Sequence, residues 1–224
     1  MTGGDKMEKK AGKHYETELP AGFRAVYSID ATNKKTVIIM NLAALLIAVA
    51  VVLLHMLLLG FGTVIRRFRF TVWQLLLFLG VALVYVVLHE LVHGLVYWLF
   101  TGRKLKFGFT GTVAYCGVPD IYVYRTASMC AVIAPFAVFL VIFALGFILL
   151  KDPAMKILAA LLQAIHVSGC VGDLFNFGLY LFRFRDPRTL MRDPGPAQTF
   201  YLPVPGGNDP GAPAAVPAAD NAAN

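Results

Sequence analysis

The chain has 224 residues, 58% hydrophobic and only 15% charged, whereas a soluble domain carries about a quarter of its residues charged. That balance excludes an ordinary soluble enzyme and makes a single integral membrane domain the expectation. The formal charge of +7 would suit nucleic acid, but the basic residues flank apolar runs and form no stripe with interleaved aromatics. Membrane lipids are therefore the expected partner, and nucleic acid is not.

Residues 1–35 are polar and read as a cytoplasmic N-terminal segment; the first apolar run starts too late for a secretory signal. Residues 37–60 form the first expected span, closed by Arg66, Arg67 and Arg69. The second covers residues 71–100, longer than the roughly twenty needed to cross a bilayer, so it is expected to tilt or to extend beyond it. Residues 105–115 (LKFGFTGTVAY) mix β-branched and aromatic residues with Gly108 and Gly111, the pattern of a short β-like segment at the interface. The third span covers residues 126–150 and contains Pro135, and the fourth covers residues 155–182. The fold class expected is an all-α membrane protein of about four transmembrane helices, occupying residues 36–192. Residues 193–224 read as a Pro-, Gly- and Ala-rich tail, disordered from about residue 206.

Four crossings place both termini on one side of the membrane. Lys34, Lys35, Arg103, Lys104, Lys106, Arg125 and the arginines between 183 and 192 share that side, which is expected to be cytoplasmic. The three cysteines, Cys116, Cys130 and Cys170, are scattered and form no Cys-x-x-Cys pair, which fits a reducing compartment.

Near the inner end of the second span the chain reads His89-Glu90-Leu91-Val92-His93-Gly94. Imidazoles four residues apart lie on one helical face, where both can hold one metal ion, and Glu90 stands beside them as a candidate general base. A charged group at that depth costs roughly 2.5–3.5 kcal/mol, so a compensating partner is required, and Zn2+ is the best candidate. A catalytic zinc needs a third protein ligand and an open position. His93 lies ten residues before Arg103 and Asp173 lies ten before Arg183, equal heights of roughly 15 Å on two helices running in the same direction. Asp173 is therefore the expected third ligand, with Gly169 and Gly172 letting its helix approach closely. His166, two turns earlier, is the alternate ligand or an orienting group. Asn176 is a candidate for binding the substrate, as are Gly108 and Thr110, whose segment could hold an unwound peptide by strand addition. Asp120 and Cys116 are weaker candidates, while His55 and His14 read as structural.

With these residues placed, the chain resembles a family of small bacterial membrane proteins described as zincin peptidases, similar in layout to site-2-type intramembrane metalloproteases. The resemblance runs from the His89–Gly94 motif through Ala134-Pro135 and Gly172-Asp173-Leu174 to Arg192-Asp193-Pro194-Gly195 and Phe200-Tyr201-Leu202-Pro203. It implies hydrolysis of a peptide bond in a membrane-protein or peptide substrate at a bacterial cytoplasmic membrane. It also implies His89, His93 and Asp173 as zinc ligands and Glu90 as base. The longer Asn/Pro motif of site-2 proteases is absent, since Leu174 follows Asp173 where they carry glycine. Two other classes compete: a catalytically idle metal-binding or regulatory membrane protein, and a haem or metal-transport protein using His55, His89, His93 and His166. The second lacks the repeated halves usual in transporters.

Overall fold

The computed structural model describes residues 14–111 and 113–204; the tail beyond residue 206, expected to be disordered, lies outside them. Helix α1 (Lys34–Leu59) starts where the Asn33 side chain accepts the N–H groups of Lys35 and Thr36, which satisfies donors otherwise left open at a helix start. A short α2 (Phe61–Arg67) turns the chain. Helix α3 (Val72–Thr101) opens on a reciprocal Thr71–Gln74 capping box and stops at Gly102, whose φ of 60° is left-handed. Helix α4 (Arg125–Leu149) runs on through Pro135. Asp152 caps α5 (Pro153–Gly169), which is followed by α6 (Val171–Phe182).

Helices α1, α3 and α4 are each long and apolar enough to cross a membrane, and α5 with α6 qualifies as one span bent by 47°. The fourth expected span is thus broken at Cys170. Glycine on either side of the break, at 169 and 172, weakens the helix there by about 1 kcal/mol each. Neither glycine serves close helix packing, as had been expected of them: a Cβ added at either position would meet nothing within 4 Å.

The all-α expectation needs a larger correction. The β-like segment is a hairpin of β3 (Lys106–Phe109) and β4 (Ala114–Tyr124), and β4 belongs to a six-stranded antiparallel sheet. The other strands are β1 (Tyr15–Glu16), β2 (Phe23–Asp30), β5 (Leu190–Asp193) and β6 (Ala197–Pro203), in the order β1-β4-β5-β6-β2 with β3 also on β4. Residues read as a polar leader therefore pair with residues read as tail, Phe23 opposite Pro203 through Asp30 opposite Ala197.

One core joins the sheet to the helix ends, with Tyr97, Val118, Ile121, Tyr180, Met191 and Phe200 buried together. A second, smaller cluster of Tyr85, Phe139, Phe143 and Leu162 lies among α3, α4 and α5. Helix α4 leaves directly from β4, and Arg125 at its start donates to the carbonyls of Tyr180 and Phe184, tying it to the end of α6. The chain therefore runs outward along α4, about 37 Å at 1.5 Å per residue, and comes back to the sheet along α5 and α6.

Candidate metal centre

His89 and His93 project from one face of α3, with ring centroids 4.9 Å apart. The break at Cys170 sets Asp173 in the first turn of α6, facing them. Its Oδ2 lies 3.2 Å from His89 Nε2, and its Oδ1 lies 3.5 Å from His93 Nε2. An anion in a first helical turn is also favoured by the helix dipole. The three ligand atoms all lie within 4.8 Å of one another.

Zinc fits this donor set on the geometry alone. His93 Nδ1 lies 2.8 Å from the carbonyl oxygen of Ala131, which can only accept, so this nitrogen carries the proton. His93 Nε2 then points a lone pair at a carboxylate oxygen, an arrangement that a shared cation resolves. Two imidazole nitrogens and a carboxylate also leave a tetrahedral zinc one open position.

Glu90 is half-buried. It borders the same cavity as the three candidate ligands, a space of about 430 Å³. Helix α1 supplies one wall through Val37, Met40 and Ala44; β4 supplies Ala114 to Cys116; and Asn176, Asp193 and Gln198 lie along the cavity as well. The Asn176 amide donates to Gln198 Oε1 and leaves its own buried oxygen without a partner.

The other sequence candidates fall elsewhere. His166 is fully buried and groups with His89 and Cys170, not with Asp173. Gly108 and Thr110 do not line the cavity. Gly108 makes room for the Tyr115 ring, since a Cβ there would stand 2.3 Å from its hydroxyl oxygen. Thr110 closes the hairpin turn against Val113. Cys116 is buried beneath α3, its Sγ 3.2 Å from where a Cβ on Gly94 would be, and burial pushes its thiol up to about 12. Asp120 is exposed. His55 bonds the carbonyl of Val51 and packs edge-on against Phe147, and the His14 ring packs on Phe100.

Four residues at or beside the site were not among the site residues expected from the sequence: Tyr85, Tyr97, Asp193 and Gln198. Asp193 is 2% exposed and accepts from Tyr97 Oη, Gln198 Nε2 and the backbone N–H of Gly195. Burial nonetheless pushes its carboxyl up to about 6. Only the Asp193-Pro194-Gly195 sequence, typical of a turn, could have drawn attention to it.

Residues 82–187 match the model of a family described as "Putative zincin peptidase". The matched stretch contains His89, Glu90, His93 and Asp173 and omits α1, β2 and β6. No curated protein and no solved structure matches the chain.

Proposed function

We propose that this chain is a membrane-embedded zinc metallopeptidase that cleaves a peptide bond at the level of the inner ends of its helices. The observation that carries the reading is the meeting of His89, His93 and Asp173 in one cavity that also holds Glu90. The family match supports the same chemistry. So do the apolar faces of α1 and α3, where Leu57, Leu83 and Leu99 stand more than three-fifths exposed, as a lipid-facing helix requires.

His89, His93 and Asp173 would hold the zinc. When bound, zinc lowers the pKa of a coordinated water toward about 7 and polarises a carbonyl. Glu90 takes the proton from the attacking water and returns it to the leaving amine. A peptide must be extended to be cut, and the stretch bordering the cavity is the start of β4 with the residue before it, Val113 to Cys116. Substrate pairing is therefore assigned to that stretch and no longer to Gly108 and Thr110.

Metal analysis and a peptidase assay on purified protein test the proposal. Glu90→Gln should retain one zinc per chain and lose turnover by about 100-fold or more, the usual contribution of a positioned base. Asp173→Ala should lose the zinc. Full turnover in Glu90→Gln would reject the enzyme reading, and stoichiometric zinc in Asp173→Ala would move the third ligand elsewhere.

A further inference from the structure

Two separate hydrogen-bonding arrangements fix which nitrogen of each imidazole faces Asp173, and each begins at a carbonyl of α4. The first starts at Pro135. Proline has no N–H, so the carbonyl four residues earlier, that of Ala131, receives no helical bond from that position. That carbonyl lies 2.8 Å from His93 Nδ1. The proline is completely buried inside an otherwise continuous helix, a position that normally costs about 3 kcal/mol.

The second starts at Phe136, whose carbonyl has a second lone pair to offer beyond its helical bond. His166 Nε2 lies 3.0 Å from it, so Nε2 holds the His166 proton and Nδ1 is the acceptor. Tyr85 Oη is 2.9 Å from that Nδ1. Tyrosine has one hydroxyl proton, and it is given to His166. The remaining lone pairs of Tyr85 Oη can only accept, and the nitrogen 3.3 Å away is His89 Nδ1. His89 therefore carries its proton on Nδ1 and turns Nε2 toward Asp173.

We infer that Pro135, together with the Tyr85–His166 pair, acts as a set of positioning residues that commits both imidazoles to the Nδ1–H form before any metal arrives. Partners of this kind on a ligand's far nitrogen set its tautomer and orientation, and their loss costs about 10–100-fold in metal affinity. The role is new for His166: it acts two groups away from the metal and is not a ligand. The inference rests on the proposed metal site, but it also makes a statement about the metal-free protein that can be read separately.

The experiment is nitrogen-15 NMR of histidine-labelled protein in detergent, metal-free and zinc-loaded, with zinc affinity measured by chelator competition. Wild type should show His89 and His93 protonated at Nδ1 in both states. Pro135→Ala restores an N–H that competes with His93 for the Ala131 carbonyl; it should disturb the His93 signals alone and weaken zinc up to about 10–100-fold. Tyr85→Phe should disturb His89 alone, with a similar loss. His166→Gln keeps an acceptor for Tyr85 and a donor for Phe136, so it should bind zinc more tightly than His166→Leu. This pair carries the test if the proline variant does not fold. Either imidazole found with its only proton on Nε2 in metal-free wild type would overturn the inference. So would zinc affinities within about twofold of wild type in all of these variants. Wild type that binds no zinc but shows both Nδ1–H forms would instead sink the metal reading and leave the tautomer assignment standing.

Discussion

Asp193 shows how much a single residue at this site depends on distant contacts. Its carboxyl is buried, and three donors do not fully replace the lost water, so its pKa rises from 3.8 to about 6. The folded protein thus holds this proton more tightly than the unfolded chain does. The resulting stabilisation is complete below about pH 3.8 and is lost as pH rises through about 6. At about 1.4 kcal/mol per unit, roughly 3 kcal/mol is involved. Thermal unfolding in detergent should show wild type losing stability between pH 4 and 7 relative to Asp193→Asn, which cannot titrate. Equal pH slopes in the two proteins would refute the assignment. Only its Asp-Pro-Gly turn marks this residue locally; its burial depends on Tyr97, 96 positions away. The neighbourhood of His89 and His93 was legible for the opposite reason: four residues along a helix fix it without tertiary structure. Asp173 required one further step, a comparison of depth along two parallel spans. The Tyr85–His166 contact spans 81 positions and offers no such shortcut.

Elements were legible in proportion to their length. Each long helix announces itself through a continuous apolar run, while the side chains that start α1, α3 and α5, Asn33, Thr71 and Asp152, are polar residues that hydropathy does not single out. Hydropathy runs unbroken across Cys170, which hid the bend that sets Asp173 in a first helical turn. Strands β2 and β6 are short and are stabilised by pairing with each other across the whole membrane region, so neither reads as a strand alone. The sheet meets the site at Gly117 of β4. A Cβ there would lie 2.6 Å from the carbonyl oxygen of Asp193 and 2.8 Å from the amide of Gly195, and backbone cannot step aside as a side-chain tip can. Gly117→Ala should therefore cost about 1–3 kcal/mol and lower zinc occupancy little, since the candidate ligands lie on α3 and α6. Unfolding curves together with metal content check this. An unchanged midpoint would show that β4 and β5 are less tightly joined than their register indicates.

At the scale of the whole molecule, the sheet decides the topology. Strand β2 precedes all the helices and β6 follows them, yet the two are paired along their length. The chain must therefore leave the sheet and return to it an even number of times. If α1, α3 and α4 each cross once, the pairing of β2 with β6 requires α5 and α6 together to make a fourth crossing, bend included. Basic residues at Lys34, Lys35, Arg103, Lys104 and Arg183 gather at the sheet side, and on that charge bias we propose that this side is the cytoplasmic one. A membrane-impermeant thiol reagent applied to right-side-out and inverted vesicles tests both steps. The native thiols are buried or half-buried, so single replacements at the exposed Arg188, after α6, and at the exposed Lys151, before α5, report on the two faces. Arg188→Cys should label only in inverted vesicles, and Lys151→Cys only in right-side-out ones. Labelling of both from one face would mean that α5 and α6 re-enter without crossing, and Asp173 would then reach the histidines from the wrong side of the bilayer. A clean reversal would leave the four crossings intact and overturn only the charge-based orientation, moving the proposed peptidase site to the outer face.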